Sequence, residues 1–330
     1  MADDERSLRR TVADLEQEVN YLRARLRRAE ADADEIDDAA PGPFFVGGTG
    51  RSGTWMLGRL LGQHPDVAVI RTELRFHSSE GGFGRVLRGE ESIDEFTDRV
   101  RSRWYGIAGA SGSPKGLLLL ATSGELSEAT KRLRADGGDP ASALRAFAHR
   151  LVDPYAHGRG ARTWVETTPD NTAATDVLLQ VFPRARVFDI VRDGRDVAAS
   201  VVTMAWGPDS PDDALDWWAA RVRAGHAAMA RADADRVMRV RFEEFALTHR
   251  EQRLDEVLAC AGFERTKAIE RYFARAVDPE KAHTGRWRAE MSSARAAAFD
   301  ARYRDLYREL EDEGVAGLPI TPDDADRLGV

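Results

Sequence analysis

The residues best suited to hold an anion lie in one short stretch, Gly47-Gly48-Thr49-Gly50-Arg51-Ser52-Gly53-Thr54. Phe44-Phe45-Val46 precedes it as a β-favouring apolar run, and Trp55, Leu57, Leu60 and Leu61 follow at helical spacing. A glycine-rich turn between a strand and a helix exposes successive backbone N–H groups at the positive end of the helix dipole. Gly47, Gly48, Gly50 and Gly53 let the backbone approach a phosphate. Ser52 and Thr54 add hydroxyl donors, and Arg51 adds a fixed charge. A triphosphatase loop would carry Lys after its second glycine, where this chain has Thr54. The dinucleotide fingerprint is matched only in part, with Gly48, Gly50 and Gly53, so a nucleotide-binding rival stays open at this point.

A second constellation follows an apolar run: Val187-Phe188-Asp189-Ile190-Val191-Arg192-Asp193-Gly194-Arg195-Asp196-Val197-Ala198-Ala199-Ser200. Taken alone, Arg192 and Arg195 read equally as a solvated charged turn beside Asp193 and Asp196. The two stretches together resemble the PAPS-dependent sulfotransferases, particularly the Golgi-type and bacterial members. Gly48 to Thr54 is similar to that family's first signature, with His64-Pro65-Asp66 after the helix. The Arg192-to-Ser200 separation is similar to its second.

The resemblance runs from Phe44 to about Trp287 and has several implications. Gly48, Gly50, Arg51, Ser52, Gly53, Thr54 and Trp55 would hold the 5′-phosphosulfate of the co-substrate PAPS, with Arg51 also at the leaving group. Arg192 and Ser200 would clamp the 3′-phosphate, and Arg286, in Gly285-Arg286-Trp287-Arg288, is a weaker candidate. For the base, Golgi-type relatives carry a Glu two residues before an Arg, which Glu73 and Arg75 reproduce. A carboxylate near a cationic donor site can accept a proton from an acceptor hydroxyl; His77 is the rival, because imidazole titrates in the working range. One departure stands out: Thr167, in Glu166-Thr167-Thr168-Pro169, occupies the place of a family lysine. Glu166 and Asn171 read either as acceptor-site residues or as the start of a helix cap.

These side chains need a scaffold. Further strands are expected at Val67–Ile70, Thr163–Val165, Arg186–Val191 and Val237–Phe242, separated by helices at 141–153, 172–181, 194–203, 212–231 and 249–261. That alternation predicts an α/β fold, a parallel sheet flanked by helices. Residues 44–330 form the expected domain. Residues 78–140, rich in glycine, read as an insertion or lid near the acceptor. Phe76, Phe83, Trp104, Tyr105 and Trp206 are either pocket aromatics or core. Ahead of the domain, residues 5–34 read as a helix with a heptad seam at Leu8, Val12, Leu15, Val19, Leu22 and Leu26. It suits either a homodimer through residues 8–26 or an amphipathic helix folded back on its own domain. Residues 35–43 read as a linker.

Composition narrows the field. The chain has 330 residues and a net charge of −8, so a broad basic surface for nucleic acid is not expected. The single cysteine, Cys260, cannot form an internal disulfide and reads as a core thiol. No H-E-x-x-H or C-x-x-C pattern calls for a metal. The N-terminus is charged from Asp3 onward, and no apolar run is long enough for a membrane span, so a cytoplasmic location is expected. The expected activity is sulfuryl transfer to a hydroxyl of a small-molecule or glycan acceptor. The alternatives are an inactive nucleotide-binding scaffold and an ATP-dependent kinase.

Overall fold

The computed structural model describes residues 41–108 and 114–329; the heptad seam lies outside the described residues. Five parallel strands form the main sheet: β1 (Phe44–Gly48), β2 (Val67–Val69), β3 (Thr163–Glu166), β4 (Arg186–Val191) and β5 (Val237–Arg241). They lie in the order β2-β3-β1-β4-β5. Phe44 is paired with Arg186 and Gly48 with Ile190, while Val187 to Val191 run beside Val237 to Arg241. All the C-terminal strand ends therefore lie along one edge, and the crossover from β3 to β4 passes over β1. This is the topological switch point at which open α/β sheets hold ligands.

The strands read as apolar runs because both faces of the sheet are covered. Phe45 and Val187 enter one core with Leu144, Phe147, Leu151 and Phe182. Their neighbours Phe44, Val46, Phe188 and Ile190 enter the other, with Leu57, Val257 and Leu258. Eight of the helices bear on the site: α1 (Thr54–Leu61), α2 (Ser123–Ala135), α3 (Pro140–His157), α4 (Thr175–Val181), α5 (Gly194–Val201), α6 (Pro211–Met229), α7 (Arg250–Ala261) and α8 (Ser293–Asp312). Local chemistry sets their starts. Asp139 and Ser210 accept from the N–H groups of Ser142 and Asp213, and Pro140 and Pro211 occupy the first helical positions.

The described residues of the 78–140 stretch fold into the core. They contain helix Ile93–Arg99 and α2, each opened by a capping box, Ser92 with Glu95 and Thr122 with Glu125. Phe83, Phe96, Val100, Trp104, Leu117 and Leu126 join the core of α3. Phe76 belongs to the same core, and Tyr105 packs against it; Trp206 alone of the five aromatics stands out in solvent. A third cluster packs α5 and α6 against α8 through Val197, Trp218, Phe299 and Tyr303.

The chain ahead of β1 is clipped to the sheet: the Gly42 carbonyl accepts from Thr163 Oγ1 at 3.0 Å and the Pro43 carbonyl from Arg186 N at 3.2 Å. Cys260 is half-buried at the margin of the second core rather than sealed inside it. Among the described residues, no helix is long and apolar enough to cross a membrane.

Candidate active site

The loop after β1 winds tightly. Gly50, Arg51 and Gly53 all adopt positive φ, at 81°, 57° and 102°. Arg51 pays a steric cost there, which is typical of a backbone held for a ligand. Helix α1 then begins at Thr54 with neither a capping side chain nor an acid in its first turn, so its leading N–H groups are left for an anion. Gly48 is required by close approach: a Cβ there would lie 2.5 Å from the Ile190 carbonyl oxygen and 2.6 Å from Ser52 Oγ. Ser52 is buried, and its Oγ has no partner.

The second constellation meets this loop directly. Arg51 Nε donates to Ser200 Oγ at 2.9 Å, and Arg192 Nη1 donates to the Arg51 carbonyl at 3.4 Å. Arg192 Nη2 donates to the carbonyls of Ala282 (3.1 Å) and His283 (2.7 Å), while its Nε is buried and unpartnered. Asp196 joins the same segment, accepting from Gly285 N at 3.0 Å. Arg286 itself points elsewhere: it is largely exposed and paired with Glu290 at 3.1 Å. Arg51, Arg192 and Ser200 thus converge, whereas Arg286 contributes its neighbourhood and not its guanidinium. Trp55 is half-exposed, with the Arg59 guanidinium 5.4 Å from its ring centroid.

Behind this clamp lies a buried charged layer that sequence reasoning missed. Arg195 is not solvated. It is fully buried, bonded to Asp193 at 2.6 Å and to Asp300, between the rings of Trp287 and Tyr303 at 4.9 and 4.8 Å. It ties α5 to α8, more than a hundred residues away, which explains why no local pattern announced it. Glu243 Oε1 accepts from Asp193 N at 2.8 Å, and burial together with the Asp193 charge pushes its carboxyl up to about 8.

Glu73 and Arg75 sit on the loop after β2. Arg75 Nε donates to Glu73 at 3.0 Å, which orients the carboxylate, and Arg75 has a φ of 64°. The loop hangs from Glu166 at the end of β3. Glu166 Oε1 accepts from Leu74 N at 3.0 Å and from Thr168 Oγ1 at 2.6 Å; Oε2 accepts from Asn171 Nδ2 at 2.8 Å and lies 3.0 Å from His77 Nε2. Glu166 and Asn171 are fully buried, and His77 is 2% exposed. None of the three is open to solvent. Nor does Asn171 cap a helix, since α4 starts at Thr175 and the Asn171 side chain turns inward to Glu166 and the Val46 carbonyl. The rival base is therefore a strut: His77 locks Glu166, and Glu166 positions the strand of chain bearing Glu73. Thr167 is also buried, its Oγ1 unpartnered and its methyl so close to α1 that a Cβ on Gly58 would lie 2.3 Å away.

Glu166 carries a pH signature. Burial pushes its carboxyl up, but the His77 charge and the hydrogen bonds from His77, Thr168 and Asn171 outweigh that and hold it at about 2. A depressed folded value stabilises the fold above the unfolded carboxylate range and loses that contribution as pH falls toward about 2. We expect acid to remove on the order of 3 kcal/mol through this group. Urea midpoints of wild type and Glu166→Gln, compared from pH 7 to pH 3, check it: the variant should start lower and fall less steeply.

A glycine-rich loop suited to an anion at the switch point of a parallel sheet, joined by an arginine to a second basic cluster, defines the class: an α/β protein with two anion-suited places side by side. The match of the Sulfotransferase family to residues 43–267 makes it specific: this chain belongs to the sulfotransferase family. The sulfotransferase domain of an olefin synthase from Synechococcus PCC 7002 has the same fold, with TM-score 0.51 and 17% identity over 84% of this chain and 98% of that one. Sulfotransferase STF1 from Mycobacterium tuberculosis H37Rv matches with TM-score 0.45 and 18% identity, covering 86% of this chain and 83% of its own. No curated protein matches the chain by sequence.

Proposed function

We propose that the chain uses PAPS as donor and transfers its sulfuryl group to a hydroxyl of a small-molecule or glycan acceptor. The observation that carries this reading is the bridge from Arg51 to Ser200, because it joins the loop suited to a 5′-phosphosulfate with the clamp suited to a 3′-phosphate. Three groups fit such a ligand: the buried, unpartnered Ser52 Oγ and Arg192 Nε, and the partly exposed Ser200, whose Oγ accepts from Arg51.

In the transfer, the bond between acceptor oxygen and sulfur forms as the bond from sulfur to the bridging phosphate oxygen breaks; the hydroxyl proton goes to a base and PAP leaves. Glu73 is the base, oriented by Arg75 and hung from Glu166. Arg51 and the N–H groups opening α1 stabilise charge on the departing phosphate. With Thr167 in the lysine position, Arg51 carries more of that load. The same feature favours a second reading, an inactive scaffold that binds the nucleotide without turnover.

Calorimetric titration with PAP beside ATP and NADP tests the donor assignment. PAP should bind tightly, and removal of its 3′-phosphate should weaken the binding on the order of 10²-fold. Preference for ATP would end the PAPS reading, and PAP binding without turnover on any acceptor would favour the scaffold.

A further inference from the structure

The donor site and base leave the exposed indole of Trp206 unexplained. Among the described residues it is the most exposed large apolar side chain, at 62% against 45% for Leu328 and 36% for Leu118. It lies in the turn between α5 and α6, just beyond Ser200. On α6, Trp217 stands beside it, the ring centroids 6.3 Å apart and the planes inclined at 49°. Both rings reach the phosphate loop: a Cβ on Gly50 would be 3.5 Å from Trp217 Cη2 and 4.0 Å from Trp206 Cη2. The next residue is Arg51. An open pair of indoles therefore borders the place where the sulfuryl group would be presented.

Arg221, whose guanidinium lies 4.9 Å from the Trp217 centroid, is already engaged: it is paired with Asp170, and Asp170 also accepts from Ser79 Oγ at 2.6 Å. A flat aromatic ring buries more apolar surface against two indoles than a sugar, whose hydroxyls stay turned to water at so open a pair. A phenol brings one hydroxyl, the one that reacts, and a flat apolar ring that two indoles can receive.

We propose that Trp206 and Trp217 form the acceptor platform and that the acceptor is a planar aromatic compound bearing a hydroxyl. The inference rests on the PAPS reading above. Its test uses the full chain, 2-naphthol and methyl β-glucoside as acceptors, and PAP as the donor-site probe. Wild type should sulfate 2-naphthol in preference to the glucoside. Trp206→Ala and Trp217→Ala should each raise the KM for 2-naphthol on the order of tenfold and leave the PAP Kd within about twofold. Trp217→Phe, which keeps a ring and fills more of the half-buried site, should recover most of the loss. Preference for the glucoside, or an unchanged naphthol KM in Trp206→Ala, would overturn the platform while PAP binding stood. Failure of wild type to bind PAP would instead sink the reading beneath it.

Discussion

Arg192→Ala is expected to weaken PAP binding on the order of 10²-fold, the scale of about 3 kcal/mol for truncating one partner of a buried charged pair. The reason is local. Arg192 sits at the end of β4 with a buried, unpartnered Nε, a donor whose desolvation is uncompensated. Its Nη groups are shared among the carbonyls of Arg51, Ala282 and His283. The substitution therefore removes a phosphate donor and also loosens the 282–285 segment from the loop. A ligand without the 3′-phosphate separates these effects. Adenosine 5′-phosphosulfate should lose only a few-fold on Arg192→Ala if the charge acts on the 3′-phosphate. Ser200→Ala should cost PAP about fivefold, the worth of a single hydrogen bond. Equal losses for both ligands would move Arg192 from phosphate binding to a purely structural role.

How much of this could be read from the chain depends on whether the cause was local. Phe44-Phe45-Val46 and Val187 to Val191 announced themselves because a doubly covered parallel strand must be apolar on both faces. The loop at Gly48 to Thr54 was legible because close backbone approach needs glycine. The convergence of Arg51 with Ser200 needed two signatures read together, since the residues are 149 positions apart. The helices in the 78–140 stretch went unread because its glycines drew attention from Ser92-to-Glu95 and Thr122-to-Glu125, two capping boxes visible in the sequence. Arg195 was beyond local reading: its burial depends on Asp300 and Trp287, delivered by the C-terminal chain. Trp217 was missed for the opposite reason. A tryptophan followed by Trp218 on a helix reads as core, and only one of the two is fully buried.

The base can be tested more sharply than the clamp. Glu73→Gln should lower turnover on the order of 10²–10⁴-fold, the range for loss of a general base, with PAP affinity nearly unchanged. The amide is nearly isosteric and can still accept from Arg75, so the loop should hold its shape. Glu166→Gln is the informative companion, because Glu166 is fully buried beneath the loop that bears Glu73. It positions Glu73 through the Leu74 N–H, a neutral contact a glutamine oxygen can retain, but the substitution removes the carboxylate that lies 3.0 Å from His77 Nε2. It should therefore lower stability and turnover together, whereas Glu73→Gln should lower turnover alone. A Glu73→Gln enzyme keeping more than about half its activity would remove the residue from the role. His77 could not then inherit it, sealed against Phe45 and Phe76 at 5.3 and 5.4 Å with its Nε2 committed to Glu166 and Asn171. The remaining route would be an acceptor acidic enough to react without a protein base, an outcome that a phenol meets far more readily than an alcohol.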